Sequence, residues 1–597
     1  MIRRWIFLIV LVILGLVIFY NPNFKTIAAG VSILLFGMVT LEQGFKVFAK
    51  GPLRRILKKA TEKLYRSITV GALITAIIQS SSLVSVITIS FISAGLIALS
   101  GGIGLIYGAN IGTTFTAWLV AGFGLKVNIS VLAMPMLIFG ILFSFQHNKS
   151  LKGLGNILTG LGFFFLGIYY MKDGFDVFSN YIDLTQYSIE GWPGVFVYTG
   201  IGILITTILQ SSSASLAIVL TALAAGQISY ENALALAVGT NIGTTITALI
   251  GSIGSNVSGR RLALAHLIFN LVTGIVALVF IMPLAKLVNF LSENIGIGPD
   301  DFTLKLALFH TLFNVLGVLI MIPFITRLER FLIRFVKESK RKDIDEPKFL
   351  NKAILAFPGT LVTSLEKETR YLFENPITEI IAHALNIHRT DLVSDLKIKK
   401  VVKKSQKDID VNVRELYLRK VKSIYGQILE YASKGQAELT LEAPHNERIA
   451  EIKIANRKMV EIIRDVKELR INVLKYTQSD NAHMRRQYQG FRRMIAKVLR
   501  AMNQMKESED PNMTKKEIKE LKKFFKAKLK SNNKSIDKLI RENLIDVNMA
   551  SSLVNDHDNV NDMIKMILQV CELLYVQRDS LLDPIETAPD HVHHNTG

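Results

Sequence analysis

Hydrophobic residues are concentrated in the first part of the chain. Apolar stretches of spanning length lie near residues 5–20, 26–48, 100–123, 127–146, 152–171, 231–253, 262–283 and 303–325. A helix needs roughly 18 to 20 apolar residues to cross a bilayer. After Arg327 the charge density rises and no such stretch occurs. The pattern predicts an all-α chain in which a polytopic membrane part is followed by a soluble helical part.

Two further apolar segments, 67–97 and 192–228, are polar at their centres. The first contains Gln79-Ser80-Ser81-Ser82 and the second contains Gln210-Ser211-Ser212-Ser213. Each segment is long enough for two half-helices but too polar in its middle for a plain span, because polar groups in lipid must find partners. We therefore predict two re-entrant helical hairpins.

These segments belong to an internal repeat. Residues 79–117 align with residues 210–248 without a gap, and the run Asn-Ile-Gly-Thr-Thr occurs in both, at 110–114 and 241–245. The repeat extends back to a match of 37–44 with 167–174, which predicts repeats over about 32–123 and 162–254. The predicted topology places an odd number of crossings between them, so the repeats are predicted to be inverted. Hairpins that meet from opposite sides are typical of alternating-access transporters.

The residues of the repeat favour ion binding over plain helix packing. Small residues do permit close packing of membrane helices, but two matched clusters at equal spacing favour a site. No Asp, Glu, Lys or Arg occurs over 67–125, and Glu231 alone occurs over 191–259. Hydroxyl and carbonyl oxygens can hold sodium, while half-helix N-termini and hydroxyls can hold an anion. Without a basic residue nearby, cation and anion binding would depend on each other, as symport requires.

Charge placement favours a membrane protein over a nucleic-acid-binding protein. The formal net charge is +21, and the basic clusters flank apolar segments: 3–4, 50–66, 260–261 and 327–342. This is the positive-inside pattern. With eight crossings, both termini are predicted to be cytoplasmic, and the loops 172–191 and 284–302 are predicted to lie outside.

The two ends of the chain carry features that have a simple interpretation. Arg3-Arg4 and the apolar run that follows predict a retained signal-anchor helix within 1–25, because no small-x-small cleavage site follows. His591, His593 and His594 lie in a tail, 581–597, for which disorder is a better interpretation than metal binding. The single cysteine, Cys571, cannot form an internal disulfide, which is compatible with a reducing cytoplasm.

The second half predicts an antiparallel helical bundle over 350–580, after a basic linker over 327–349. Helices are expected near 355–384, 414–433, 483–505, 514–543 and 547–579, and a heptad seam predicts another between them. Its apolar positions are Ile452, Ala455, Met459, Ile462, Val466, Leu469, Val473 and Tyr476. Asp558 and Asp562 have the spacing of a metal-binding pair, although a solvated helix face explains them better.

The paired motifs resemble those of the sodium-dependent phosphate cotransporter family, over residues 26–326. The resemblance implies sodium-coupled phosphate uptake, with two hairpins forming the site and no cofactor besides sodium. The residues that match the family's motifs are Gln79, Ser80, Ser81, Ser82, Asn110, Thr113, Thr114, Gln210, Ser211, Ser212, Ser213, Asn241, Thr244 and Thr245. An acidic residue that some animal members carry after the first motif is absent from 83–117, which puts their extra sodium site and the stoichiometry in doubt.

The second half is similar to the PhoU-like domain that many bacterial members of the family carry. Its run Leu350-x-x-Ala353-Ile354-Leu355-x-x-Pro358 contributes to the likeness. The resemblance implies a cytoplasmic regulatory bundle, a bacterial inner or plasma membrane, and contacts with a second copy or a regulatory protein.

Three alternatives remain open at this stage. The chain could carry another oxyanion, act in export, or be a membrane-anchored phosphate sensor that binds without translocation. An enzyme is disfavoured because the membrane part lacks paired titratable groups. A weaker echo, His266-x-x-Phe269-Asn270 against His310-x-x-Phe313-Asn314, fits helix packing as well as function.

Overall fold

The computed structural model describes residues 15, 18–19, 22–49, 60–126, 129–179, 186, 188–337, 346–404, 409, 411–507 and 510–576. The chain divides into two compact units, Met1–Glu338 and Ser339–Gly597. Within the described ranges both units are built from helices, and no strand occurs there. The predicted all-α class is confirmed.

The first unit contains helices α1 to α13. They are α1 Pro22–Ala49, α2 Leu64–Ile78, α3 Ser81–Ser93, α4 Leu99–Trp118, α5 Ile129–Ser144, α6 Lys149–Ser179, α7 Gly191–Leu209, α8 Ser212–Ala224, α9 Tyr230–Ser252, α10 Val257–Val279, α11 Ile281–Asn294, α12 Phe302–Met321 and α13 Ile325–Phe335. A π-helical turn, Leu119–Gly124, continues α4.

Seven helical stretches within the described ranges are long and apolar enough to cross a membrane. They are Phe24–Val47, Leu99–Gly124, Lys149–Phe178, Gly191–Leu209, Tyr230–Ser252, Val257–Val279 and Phe302–Phe335. Six of them coincide with predicted spans, which makes this a multi-pass membrane protein. The predicted span near 5–20 lies almost entirely outside the described residues, and the span near 127–146 is the shorter helix α5.

The structure differs from the predicted topology at three places. Gly191–Leu209, expected as a half-helix, has the length of a full span. The first predicted outside loop is partly helical, because α6 continues to Ser179. The second contains much of helix α11, which follows a break at Phe280 and has Pro283 in its first turn. Proline is tolerated there because the first N–H groups of a helix have no intrahelical partner.

Glycines bring the membrane helices close together. A Cβ atom on Gly37 of α1 would lie 2.5 Å from the Phe164 nitrogen of α6, and one on Gly30 would lie 2.5 Å from the Met171 nitrogen. These helices contain the 37–44 and 167–174 segments of the repeat. Only glycine fits such backbone contacts, so the glycines fix where the two helices cross.

The second unit is a bundle of helices, most of which were predicted. Those of five or more residues are α14 Pro358–Leu372, α15 Thr378–Ala384, α16 Arg389–Val393, α17 Ile398–Lys404, α18 Lys422–Glu438, α19 Ala443–Thr477, α20 Ala482–Glu507, α21 Pro511–Arg541 and α22 Val547–Cys571. Helices α16 and α17 were not predicted. The helix expected over 414–433 begins as a short turn, passes through a π-helical segment, Tyr417–Val421, and ends at Glu438.

The heptad seam forms the core-facing side of α19. All eight of its apolar positions are at most 2 % exposed, as a 3.5-residue hydrophobic period requires. Cys571 is also buried, and burial raises the pKa of its thiol far above the ordinary value. The histidine-containing tail lies outside the described residues.

Candidate functional site

The first candidate motif breaks a helix at Gln79. This residue ends α2 in the left-handed conformation, with φ 60°, and its backbone N–H donates to the Thr75 carbonyl at 2.8 Å. Ser80 then caps α3, because its hydroxyl accepts the Leu83 N–H at 3.2 Å. The serine-rich sequence thus supplies the cap that the new helix needs.

The second Gln-Ser-Ser-Ser copy, at 210–213, repeats this local conformation. Gln210 ends α7 with φ 53°, and its N–H donates to the Thr206 carbonyl at 2.8 Å. Ser211 caps α8 by accepting the Ala214 N–H at 3.2 Å. Left-handed glutamine is uncommon, because most residues with a side chain avoid positive φ. Two such residues at equivalent positions indicate breaks that the surrounding structure enforces.

Helices α4 and α9, which carry the two Asn-Ile-Gly-Thr-Thr runs, cross the broken helices α2 and α7 at glycine residues. A Cβ atom on Gly108 of α4 would lie 2.0 Å from the Ile68 carbonyl oxygen of α2. In the second copy, a Cβ atom on Gly239 of α9 would lie 2.2 Å from the Thr199 carbonyl oxygen of α7. In both copies of the repeat, the same backbone contact therefore holds the Asn-Ile-Gly-Thr-Thr run beside the Gln-Ser-Ser-Ser run.

Most polar side chains of the two Asn-Ile-Gly-Thr-Thr runs bond within their own helix. Asn110 Nδ2 donates to the Ile106 carbonyl at 2.8 Å, and Thr113 Oγ1 donates to the Ala109 carbonyl at 2.9 Å. Thr114, Thr244 and Thr245 likewise bond to carbonyls of the preceding turn. All five side chains are buried, but these bonds do not join them to the glutamine-serine motifs.

Asn241 instead bonds to α12. His310 Nε2 lies 2.9 Å from Asn241 Oδ1, and Asn241 Nδ2 donates to Asn314 Oδ1 at 2.8 Å. Because an amide oxygen only accepts, His310 Nε2 carries the hydrogen of this bond. The repeated His-x-x-Phe-Asn pattern therefore contributes a contact to the second Asn-Ile-Gly-Thr-Thr run. The sequence alone did not reveal that contact.

Thr116 joins the two broken helices. Its hydroxyl donates to Gln79 Oε1 at 2.7 Å and lies 3.1 Å from Ser213 Oγ. A threonine hydroxyl has one hydrogen, so Ser213 must be the donor of the second bond. Gln79 Nε2 in turn donates to the Ala76 carbonyl. One continuous set of hydrogen bonds thus connects the first Gln-Ser-Ser-Ser copy with the second.

Thr116 was not among the residues predicted for the site. It aligns with Thr247, two positions beyond the Asn-Ile-Gly-Thr-Thr run, so the ungapped repeat already contained this signal. The two copies differ in environment: Thr116 is 1 % exposed, whereas Thr247 is only half-buried. Gln79 is half-buried and Gln210 is exposed.

The joined breaks form a neutral, polar site in an apolar surrounding. Ser81 and Ser212 begin α3 and α8, whose first N–H groups and positive dipole ends attract anions. The last carbonyls of α2 and α7, together with nearby hydroxyls, are oxygen ligands that suit a hard cation. The arrangement can hold an anion and a cation side by side without a charged side chain.

The spaced aspartates of the second unit lie on the surface of α22. Asp558 and Asp562 are exposed, and Asp562 pairs with Lys565 at 3.3 Å. Among the described residues no group of three His, Cys, Asp or Glu side chains is placed to hold a metal ion.

Two broken helices joined inside a multi-pass helical unit are typical of secondary transporters. Residues 33–173 and 194–307 match the model of the family described as Na+/Pi-cotransporter. Over these residues the membrane unit is similar to this family of transporters, as its motifs predicted.

Individual relatives match over part of their length. A Salmonella typhimurium protein named for a proposed role in inorganic phosphate export, YjbB, is 28% identical over 345 residues, which are 57% of this chain and 61% of that protein. The Bacillus subtilis protein YqeW, named as uncharacterized, is 29% identical over 270 residues, 44% of this chain and 83% of that protein. The human sodium-dependent phosphate transport protein 2C is 37% identical over 111 residues, 18% of each chain. No solved structure matches the chain significantly.

Proposed function

We propose that this protein is a sodium-coupled phosphate symporter that works by alternating access at the two joined helix breaks. The observation that carries the proposal is the Thr116 hydroxyl, which is hydrogen-bonded to Gln79 of one motif and Ser213 of the other. A site shared by two repeats is where inverted-repeat transporters bind substrate.

The chemistry of the site supports coupling between the two ions. Phosphate would bind at the N-termini of α3 and α8, where N–H groups and the hydroxyls of Ser81, Ser82 and Ser212 can donate to its oxygens. No Arg or Lys lies within 67–125 or 191–259 to offset its charge. Co-bound sodium would offset it, so each ion would raise the affinity for the other.

The unequal surroundings of the two breaks support alternating access. Ser212 and Ser213 are 4 % and 5 % exposed, whereas Ser81 and Ser82 are only half-buried. Sequence-equivalent residues in unequal environments are expected when two inverted repeats take different conformations. The opposite state of the transporter would exchange these conformations, with Thr247 taking the place of Thr116.

The rest of the chain fits a bacterial transporter. The basic residues at the ends of the spans favour cytoplasmic termini and an inner or plasma membrane location. The second unit would be a PhoU-like regulatory bundle that contacts a second copy or a regulatory protein.

Export of phosphate is a second candidate, and the name of the YjbB relatives favours it. The same site would serve, because the direction of a secondary transporter follows the ion gradients. Sodium coupling is what separates the two functions experimentally.

The test is uptake of radiolabelled phosphate into proteoliposomes that contain the full-length protein, under an inward sodium gradient, with potassium replacing sodium in the control. Accumulation that needs sodium and is competed by unlabelled phosphate is the expected result. Phosphate flux that ignores sodium would favour export, binding without flux would favour a sensor, and no response to phosphate would point to another oxyanion. Gln210→Ala and Ser212→Ala should each abolish uptake in folded protein.

A further inference from the structure

Two buried hydroxyl groups beside the helix breaks have no hydrogen-bond partner. Thr75 and Thr206 are 1 % and 0 % exposed, and the Oγ1 atom of each is unpaired. Thr75 lies in the last turn of α2, four residues before Gln79, and Thr206 lies in the last turn of α7, four residues before Gln210. They are equivalent positions of the repeat, so the same unusual feature occurs twice.

The absence of a partner is not a property of threonine in these helices. A helical threonine usually donates to the carbonyl of the residue four positions earlier. Thr207 makes this bond at 2.8 Å, Thr88 makes it at 2.7 Å, and Thr221 makes it at 2.7 Å. Thr75 and Thr206 could bond to the carbonyls of Gly71 and Gly202 in the same way, but neither makes this bond.

Repetition separates this pair from other unpaired hydroxyls in the unit. Ser85 and Ser93 are also buried without a partner, but the second copy has Leu216 and Ala224 at those positions. A buried unpaired hydroxyl is unfavourable. Finding it twice, at the same place relative to a helix break, indicates that a ligand uses these oxygens.

The surroundings of both hydroxyls fit a monovalent cation. Each threonine packs against the glycine of an Asn-Ile-Gly-Thr-Thr run: a Cβ atom on Gly112 would lie 2.7 Å from Thr75 Cβ, and one on Gly243 would lie 2.8 Å from Thr206 Cβ. Each also lies at a helix C-terminus, where the dipole and the last carbonyls favour positive charge. Oxygen ligands without a carboxylate suit sodium better than a divalent ion.

We propose that Thr75 and Thr206 are sodium ligands, one for an ion at the C-terminal end of α2 and the other for an ion at the C-terminal end of α7. The proposal rests on the function proposed above and adds ligands that the sequence motifs do not include. Cations then bind where α2 and α7 end, and the anion binds where α3 and α8 begin. Gln79 and Gln210 lie between the two kinds of ion.

The test measures sodium binding directly, on purified full-length protein in detergent, by equilibrium binding of radioactive sodium and by the sodium-induced rise in melting temperature. Thr75→Val and Thr206→Val keep the shape of the side chain and remove its oxygen. Each should weaken sodium binding about ten-fold at its own site, as expected for loss of one ligand of an ion. Ligand binding raises the melting temperature, so the sodium-induced rise should shrink.

A purely structural role predicts a different result. Removal of an unpaired buried hydroxyl should leave the melting temperature in potassium unchanged or higher, so lost sodium binding would not reflect misfolding. Thr75→Ser and Thr206→Ser should keep sodium binding. Thr88→Val and Thr221→Val, which remove hydroxyls that already have partners, are matched controls and should bind sodium as the wild type does.

Two outcomes would overturn the proposal: wild-type sodium affinity in both valine variants, or no sodium binding by the wild-type protein. Binding is measured without transport, so the two proposals can fail separately. A protein that binds sodium through these threonines but accumulates no phosphate would contradict symport and retain the sodium sites.

Discussion

At the scale of single residues, the polar side chains near the two helix breaks have defined and different tasks. Ser80 and Ser211 cap new helices, Thr116 connects the two breaks, and Asn241 connects α9 to α12. Of the serines that follow the caps, Ser213 donates to Thr116, and Ser81, Ser82 and Ser212 are the ones proposed for an anion. A cluster that looks uniform in the sequence therefore divides into positions with structural bonds and positions that we propose for ligand binding.

Thr116→Val should lower sodium-coupled phosphate uptake about thirty-fold, because loss of the hydroxyl removes two hydrogen bonds worth about 1 kcal/mol each. The two breaks would no longer be joined, while the size of the side chain is unchanged. Initial uptake rates in proteoliposomes, normalised to the amount of folded protein, measure the effect.

Thr116→Ser is the matched control, because it keeps the hydroxyl and should retain most of the uptake. Wild-type uptake by Thr116→Val would contradict a role for the connection between the breaks.

The sequence predicted the residues of both motifs because each motif occurs twice in apolar surroundings. It could not predict the Thr116 connection, since Gln79, Thr116 and Ser213 come together only when three helices pack. The unpaired hydroxyls of Thr75 and Thr206 depend on side-chain rotamers, which a residue pattern does not specify. Repetition predicted the candidate site, and packing determines which atoms face each other.

At the scale of helices, glycine contacts decide how the broken helices sit against α4 and α9. Gly71 of α2 faces the Leu105 carbonyl, and Gly202 of α7 faces the Leu236 carbonyl at the equivalent place. These contacts let backbones approach where a side chain would separate them. These crossings determine the position of each helix break relative to the neighbouring Asn-Ile-Gly-Thr-Thr run.

Gly202→Ala should destabilise the membrane unit by about 1–3 kcal/mol, the usual cost of overpacking. The added Cβ would lie 2.4 Å from the Leu236 carbonyl oxygen, so α7 and α9 must move apart. Thermal unfolding of the detergent-solubilised protein measures the loss as a lower melting temperature.

Gly200→Ala is a control on the same helix, two residues away. A Cβ at this position meets nothing within 4 Å, and alanine favours a helix over glycine by about 1 kcal/mol. Its melting temperature should stay the same or rise. Equal effects of the two substitutions would show that helix propensity, and not the crossing, is being measured.

Helices were predictable where one period dominates and less so where a break interrupts it. The seam of α19 follows a strict heptad, and every one of its predicted positions is buried. Helix α11 was missed because the span predicted near 262–283 continued past Val279, where the structure ends α10, and the structure has Pro283 in the first turn of a new helix. Proline stops a helix from its interior but starts one from its first turn.

At the scale of the whole molecule, hydropathy separates a membrane unit from a helical bundle, and the structure adds how the bundle holds its first segment. Glu368 of α14 is fully buried, and its Oε2 accepts the Phe349 N–H at 2.7 Å. The nearby backbone N–H groups of Lys348 and Leu350 also lower the pKa of this carboxylate. Residues 348–350 thus lie against the bundle through one buried acidic side chain.

Burial raises the pKa of Glu368 to about 7 from an ordinary value of 4.5, although the backbone N–H groups and the charge of Lys348 oppose the rise. Between these two values the folded bundle binds more protons than the unfolded chain, so its stability falls as pH rises. The loss should reach about 3 kcal/mol near pH 7. Glu368→Gln has no titrating group at this position, so it should lack this part of the pH dependence.

Hydrogen exchange of residues 346–350 in the full-length protein measures this effect. The wild type and Glu368→Gln are compared at each pH, so that the intrinsic pH dependence of exchange cancels. The ratio of wild-type to variant exchange rates should rise between pH 5 and about 7.5. Lys348, which lies 4.0 Å from the centre of the Tyr371 ring, is present in both proteins, so the comparison isolates the side chain at position 368. A constant ratio would mean that Glu368 keeps one protonation state, and that the first segment of the bundle is held independently of pH.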